Sequence, residues 1–196
     1  MTADLAPAES FAIKAPKREG VGAKIAADVD AWARAWGRWP TLAVWLRLFL
    51  LEPGFQFAFL LRIQELVARA PGVGVMLRRL VWYWRTRSFC SDIDPDATIG
   101  GGVRFPHPYG IVIGGGCTVG SRVVILHNVT LGRLRSGEAS GPVVGDDAML
   151  NAGAVIVGAI SIGDGAVVGA NAVVLRDVPA AHVAVGVPAD ARPMNR

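Results

Sequence analysis

A histidine between two prolines is the residue best suited to chemistry in this chain. His107 stands in the segment Phe105-Pro106-His107-Pro108-Tyr109-Gly110. A neutral imidazole can take a proton from a hydroxyl while that oxygen attacks an acyl carbon, so His107 is a candidate general base. The prolines fix the local backbone and remove two amide donors. A surface histidine in a tight turn is the alternative interpretation.

A carboxylate fifteen residues earlier is the candidate partner of this base. Asp92 opens the sequence Asp-Ile-Asp-Pro. A carboxylate on the far nitrogen of the His107 ring would fix its tautomer and stabilise the imidazolium. Asp94 and Asp96 compete for the same role, and each of them also suits the capping of a turn. His127 is a second-choice base, for which a structural or substrate-contact role is favoured.

Repeats of six residues must position these side chains. Aliphatic residues recur at this interval: Val144, Leu150, Ile156, Ile162, Val168 and Val174. The period is neither the 3.6 of a helix nor the 2 of a flat strand. It predicts a chain in which three hexads close one triangular coil and successive coils stack. A small or turn-forming residue follows most of the aliphatic ones and is expected to serve a turn with positive φ: Gly145, Asn151, Gly163 and Gly169.

Changes in composition divide the chain into parts. Residues 1–22 lack periodicity and are predicted to be a mobile tail. Residues 23–90 have helical patterns. Residues 91–179 carry the hexads, interrupted by an excursion loop at 132–142, and residues 180–196 are expected to close the coils. The fold class is therefore mainly β, a parallel coil after a small N-terminal α-helical region.

Charge and cysteine content exclude several classes of protein. The net charge is +4, and residues 1–90 hold 13 Lys and Arg against 7 Asp and Glu, whereas residues 91–196 hold 7 against 9. A solvated helix face is favoured over peripheral membrane contact, and no nucleic-acid motif is present. Cys90 and Cys117 form no ligand pattern with the histidines, so no metal site is predicted. No signal peptide is recognised, so the expected location is cytoplasmic.

Four motifs give the chain a family resemblance. They are Asp-Ile-Asp-Pro at 92–95, His107 with Tyr-Gly-Ile-Val-Ile-Gly at 109–114, Asn-Val-Thr-Leu-Gly at 128–132, and Gly-Val-Pro-Ala at 186–189. Together they resemble the serine acetyltransferases, which are hexapeptide-repeat acyltransferases. The resemblance implies a left-handed parallel β-helix, although general chain sterics favour right-handed crossovers. It is strong over residues 91–189 and weak over the helices.

The resemblance also implies roles for particular residues. His107 matches the catalytic base and Asp92 its carboxylate partner. Acetyl-CoA would be the acyl donor, bound in a groove between subunits of a homotrimer, and trimers of this kind can pair into a dimer of trimers. Residues that match positions in this groove or are expected to contact CoA are Gly132, Arg133, Ala152 and Ala170. Expected contacts of the acceptor are Tyr109, His127, Arg135 and Ser140.

Two departures from the family pattern bear on the acceptor. Pro106 precedes the histidine where the family usually has Asp, and Ser140-Gly141-Pro142 stands where it usually has Arg-His-Pro. A zwitterion is costly to strip of water without charged partners. The expected acceptor is therefore a sugar or polysaccharide precursor. Serine O-acetylation for cysteine biosynthesis is the alternative, and a non-catalytic trimeric scaffold is the third possibility.

Overall fold

Four helices precede the coils. The computed structural model describes residues 19–135 and 140–194. The helices are α1 Val21–Ala35, α2 Leu42–Leu51, α3 Pro53–Val67 and α4 Gly74–Phe89. Pro53 starts α3, where its fixed φ suits the first helical position. The predicted tail at 1–22 falls outside the described residues as far as residue 18, and the bounds of the predicted parts stay predictions.

Short strands make up the rest of the described chain. They are β1 Asp92–Ile93, β2 Thr98–Ile99, β3 Val112–Ile113, β4 Thr118–Val119, β5 Val124–Ile125, β6 Thr130–Gly132, β7 Val143–Val144, β8 Met149–Leu150, β9 Val155–Val157, β10 Ser161–Ile162, β11 Val167–Val168, β12 Val173–Val174, β13 His182–Gly186 and β14 Ala189–Pro193. The first sheet has the order β1-β3-β6-β9-β12, the second β2-β4-β7-β10, and the third β5-β8-β11-β13-β14. All pairs are parallel except β13 with β14.

The aliphatic residue of each hexad points into the coil, as the period predicts. Ile113, Leu131 and Ile156 are at most 1% exposed. They pair directly across β3, β6 and β9, so each inward side chain stacks on its equivalent in the next coil. The small residues four positions later are fully buried as well: Ala148, Ala154, Ala166 and Ala172. Stacked burial of this kind removes apolar surface from water along the whole length of the coil.

The glycines after the inward residues have a different role from the one expected. The positive-φ residues lie two positions further on, for example at Asp147 and Gly165. A Cβ on Gly145 would overlap Asp164, and one on Gly163 would overlap Ala180. Close stacking of one coil on the next, rather than a turn conformation, therefore requires glycine at these positions.

Buried cations close the open end of the first coil. The Arg62 guanidinium donates to the Ile99 and Gly100 carbonyls and forms a two-pronged ion pair with Asp28. Lys24 also donates to the Ile99 carbonyl, at 2.8 Å. Arg85 donates to the Ile93 carbonyl. Within the described residues no further coil lies beneath these carbonyls, so the helices satisfy groups that would otherwise be buried without a partner.

The α2–α3 junction is sharply bent. Among the described helices, none alone is long and apolar enough to cross a membrane. Only α2 and α3 together reach that length and composition, and they bend by 90°.

Candidate active site

His107 lies in a turn held between two neighbouring coils. The buried Ser91 hydroxyl donates to the Pro108 carbonyl at 2.9 Å and accepts from the Ile111 amide at 3.0 Å. The Tyr109 amide donates to the His107 carbonyl at 2.9 Å, which tightens the turn. The His107 side chain is exposed at the surface. The imidazole therefore stands on a fixed backbone and is accessible to a substrate.

Four of the predicted site residues form one column at a corner of the coil. The column consists of Tyr109, His127, Ala152 and Ala170, and it lies where the third sheet passes into the first. Backbone hydrogen bonds of 2.9–3.0 Å join its members from coil to coil. The Asn128 amide donates to the Tyr109 carbonyl, the Gly153 amide to the His127 carbonyl, and the Asn171 amide to the Ala152 carbonyl. We call this the corner column. Two of its members, Tyr109 and His127, are predicted to contact the acceptor, and the other two, Ala152 and Ala170, are predicted to contact CoA.

A second imidazole packs against the candidate base. The rings of His107 and His127 meet edge to face, with centroids 5.8 Å apart and an interplanar angle of 73°. His127 is half-buried, whereas His107 is exposed. The His127 ring thus limits the positions that the His107 ring can occupy.

The carboxylate predicted to pair with His107 has another hydrogen-bond partner. Asp92 lies at the start of β1 and accepts a 2.8 Å hydrogen bond from the Trp82 indole of α4. Within the described residues, no hydrogen bond joins Asp92 to His107. The Asp92–His107 pair therefore stays a prediction. Of the competing carboxylates, Asp94 caps the Asp96 amide and Asp96 pairs with Arg78.

Glu52 is a site residue that the sequence analysis missed. It joins α2 to α3, 55 residues before the histidine. Two residues on, Gly54 packs so closely on Phe105 that a Cβ would overlap the Phe105 carbonyl. Burial raises the pKa of Glu52, while the positive charges of Arg47 and His107 oppose that rise. A carboxylate thus lies within electrostatic range of the candidate base.

The remaining predicted residues lie at the next corner, across the first sheet. Gly132 ends β6, and no described atom would lie within 4 Å of a Cβ placed on it. The Arg133 guanidinium donates to the Gly115 carbonyl at 3.0 and 3.2 Å. Arg135 and Ser140 are exposed. Residues 136–139 of the excursion loop lie outside the described residues. The described residues of this group lie at a different corner of the coil from the corner column.

Small residues line the surface proposed for CoA. Ala152 is half-buried, Ala170 is exposed, and the space beside Gly132 is open. The short side chains at these positions do not cover the backbone of either corner. In the described part of the chain, no group of three or more His, Cys, Asp or Glu residues could hold a metal ion.

Comparison with known proteins places the chain in a family. A family model for "Bacterial transferase hexapeptide (six repeats)" matches residues 141–176. The serine acetyltransferase of Mycobacterium tuberculosis is 48% identical over 100 residues, which are 50% of this chain and 43% of that protein. The chain therefore spans less than half the length of this curated relative.

Two solved structures extend the comparison to the helices. A serine acetyltransferase in complex with CoA gives a TM-score of 0.75 at 33% identity and covers 88% of this chain and 70% of that one. Soybean serine acetyltransferase complexed with serine gives 0.77 at 36% identity, with the same coverage. The chain belongs to the serine acetyltransferase-like hexapeptide-repeat acyltransferases. The predicted left-handed parallel β-helix after a small helical region is confirmed.

The sugar or polysaccharide acceptor expected from the sequence is wrong. The similar proteins are serine acetyltransferases, and one of them is complexed with serine. A non-catalytic scaffold is likewise not supported by these relatives. The expectation rested on the departures at Pro106 and at residues 140–142. It omitted Glu52, which the fold brings from the helical region to the neighbourhood of His107.

Proposed function

We propose that the protein is a serine O-acetyltransferase that moves the acetyl group of acetyl-CoA to the hydroxyl of L-serine. The likeness to soybean serine acetyltransferase complexed with serine, over 88% of this chain, carries the proposal. The accessible His107 at the corner column supplies the group that the reaction needs. The acceptor is a small molecule, and the proposed location is cytoplasmic.

His107 acts as the general base. Its neutral ring nitrogen removes the proton of the serine hydroxyl as that oxygen attacks the thioester carbon of acetyl-CoA. The tetrahedral intermediate collapses with cleavage of the carbon–sulfur bond. The protonated His107 then returns its proton to the departing CoA sulfur, so no acyl-enzyme forms. Asp92 is proposed to stabilise the imidazolium once substrates are bound, since catalytic hydrogen bonds are often long without substrate.

Acetyl-CoA is proposed to lie along the two corners that flank the first sheet. Ala152 and Ala170 present only short side chains there, and Gly132 leaves room beside the proposed position of the thioester. Arg133 is proposed to contact the CoA phosphates, where a guanidinium binds oxygens in pairs. We propose that the groove is completed by a neighbouring subunit of a homotrimer, and that trimers of this kind can pair into a dimer of trimers.

Glu52 is proposed to replace the charged groups missing next to His107. A bound amino acid presents an ammonium that must keep a counter-charge when water is removed. Glu52 is the carboxylate near His107 on the α2–α3 junction. Arg135 and Ser140 are proposed to contact the serine carboxylate from the excursion loop, and Tyr109 and His127 to border the acceptor along the corner column.

The test is release of CoA thiol from acetyl-CoA with saturating L-serine. Wild type should show serine-dependent release, and His107→Ala should lower its rate by roughly 10²–10⁴. His182→Ala is the matched control, because this histidine lies in β13 and bonds to the Ala180 carbonyl. Absence of serine-dependent release by a wild type that still binds acetyl-CoA would contradict L-serine as the acceptor. Equal loss in both variants would overturn the role of His107.

A further inference from the structure

The Trp82 indole of α4 occupies one half of the candidate carboxylate. Its Nε1 donates to Oδ1 of Asp92 at 2.8 Å. Within residues 19–135 and 140–194, the other oxygen, Oδ2, has no hydrogen-bond partner. A carboxylate accepts through both of its oxygens, so one can bind the indole while the other accepts from an imidazole. Trp82 therefore leaves available the oxygen that a pair with His107 needs.

The backbone brings Asp92 close to the turn that carries His107. Ser91, directly before Asp92, donates its hydroxyl to the carbonyl of Pro108, directly after His107. Ile93 points into the coil, so Asp92 points out of it. His107 is exposed as well. The two side chains therefore arise from neighbouring segments that are joined by a hydrogen bond, and both lie at the surface.

The part of α4 that carries Trp82 is fixed to the first coil. Arg85, three residues further on, is fully buried and donates to the Ile93 carbonyl. Burial lowers the pKa of Arg85 to about 10, and the negative charge of Asp92 opposes that fall. Residues three apart share one face of a helix, so the anchored arginine and the indole lie on the side of α4 that faces Asp92.

A stacked arginine restrains the indole from the other direction. The guanidinium carbon of Arg79 lies 4.2 Å from the centroid of the Trp82 ring. A cation over the face of an indole is attracted by the electrons of the ring. It also polarises the ring, which makes the N–H group a stronger donor. Arg79 thereby limits the movement of Trp82 and favours its hydrogen bond to Asp92.

We propose that Trp82 is a positioning residue for Asp92. The indole holds one carboxylate oxygen so that the other faces the ring nitrogen of His107 that does not receive the substrate proton. A fixed carboxylate in that place determines the tautomer of the imidazole and stabilises the imidazolium. The inference rests on the proposed function, in which Asp92 assists His107. It gives α4 a part in the reaction, whereas a purely structural hydrogen bond would only join α4 to the coil.

The experiment is a double-mutant cycle of Trp82→Phe and Asp92→Asn, measured as release of CoA thiol from acetyl-CoA with L-serine. Phenylalanine keeps an aromatic ring but removes the N–H donor. Trp82→Phe should lower kcat about tenfold, as loss of a residue that orients a catalytic group does, and should leave both KM values unchanged. In the Asp92→Asn background it should lower kcat no further, because the indole acts only through the carboxylate.

Trp84→Phe is the matched control for the cycle. Trp84 lies two residues further along α4 and is 64% exposed. The same substitution at this position should leave kcat unchanged. Titration of each variant with CoA counts its competent sites, so a smaller fraction of folded enzyme is not mistaken for a lower kcat.

Three outcomes would overturn the role of Trp82 while L-serine remains the acceptor. One is an unchanged kcat in Trp82→Phe or in Asp92→Asn. A second is a loss in Trp82→Phe that persists in full in the Asp92→Asn background, which would reflect damage to the fold. The third is an equal loss in Trp84→Phe. A wild type that releases no CoA thiol in response to serine would instead overturn the proposed function, and this inference with it.

Discussion

The imidazole of His107 stands edge-on to the imidazole of His127, 5.8 Å away between centroids. This contact makes His127 a positioning residue for the base. His127→Gln should lower kcat for serine acetylation about tenfold, because small displacements of a catalytic group are costly. His127→Phe keeps an aromatic ring at the contact and should retain most of the activity. Steady-state kinetics of both variants give the comparison; a Phe variant as slow as the Gln variant would indicate a polar role for His127 instead.

Glu52→Gln should raise the KM for L-serine about tenfold and leave the KM for acetyl-CoA unchanged, since a charged hydrogen bond contributes about 1.5–3 kcal/mol. Asp190→Asn is the control, an exposed carboxylate of β14 at the far end of the coils. If the KM for acetyl-CoA rose as much as the KM for L-serine, a direct contact between Glu52 and serine would be contradicted.

The pH dependence of serine binding should also depend on Glu52. Burial raises the pKa of Glu52 above its ordinary value, and only the ionised form attracts the ammonium of serine. The KM for serine should therefore rise as the pH falls through that raised pKa. In Glu52→Gln this dependence should be absent, and a wild-type KM that does not vary with pH in this range would count against the proposal.

Arg62→Met should lower the free energy of unfolding by about 3–5 kcal/mol, because the buried Asp28 carboxylate and the Ile99 and Gly100 carbonyls lose their partner. Arg122→Met, which breaks an exposed ion pair with Asp147, should cost about 1 kcal/mol or less. Urea unfolding of the two variants measures the difference. Similar losses would mean that the cations beneath the first coil are not essential to its stability.

Gly54→Ala should lower both stability and kcat. The added methyl group would overlap the Phe105 carbonyl, and the resulting shift should move His107, two residues further on. Overpacking of this kind costs about 1–3 kcal/mol. Gly22→Ala is the control: outside its own helix, no described atom lies within 4 Å of its Cβ position in α1, and it should be neutral or stabilising by up to about 1 kcal/mol. Thermal unfolding and steady-state kinetics distinguish the two.

The six-residue period predicted the coils because every inward position obeys one local rule: the side chain must fit between its equivalents above and below. Ile113, Leu131 and Ile156 follow that rule. The role of Gly145 was mistaken because close contact between coils depends on residues 18 or more positions away, such as Asp164. A local pattern contains no information on that contact.

The candidate site could be predicted only in part. His107 and the corner column follow from flanking prolines and from the repeat, which places equivalent residues on one corner. Glu52 could not be found in this way, because its position near His107 depends on how the α2–α3 junction packs on Phe105. The one signal available was the Glu52-Pro53-Gly54 break between two apolar helices, and a helix break does not by itself indicate a functional residue.

The closed ends of the coil also determine how copies of the chain can meet. A bare first coil would present a row of unpaired carbonyls to which the last coil of another molecule could add, and repetition of that contact would build a fibre. Arg62, Lys24 and Arg85 occupy those carbonyls. At the other end the antiparallel β14 carries Asp190, Arg192 and Pro193 on an exposed edge. The helical region therefore prevents the coils of different molecules from adding end to end, in addition to positioning Glu52.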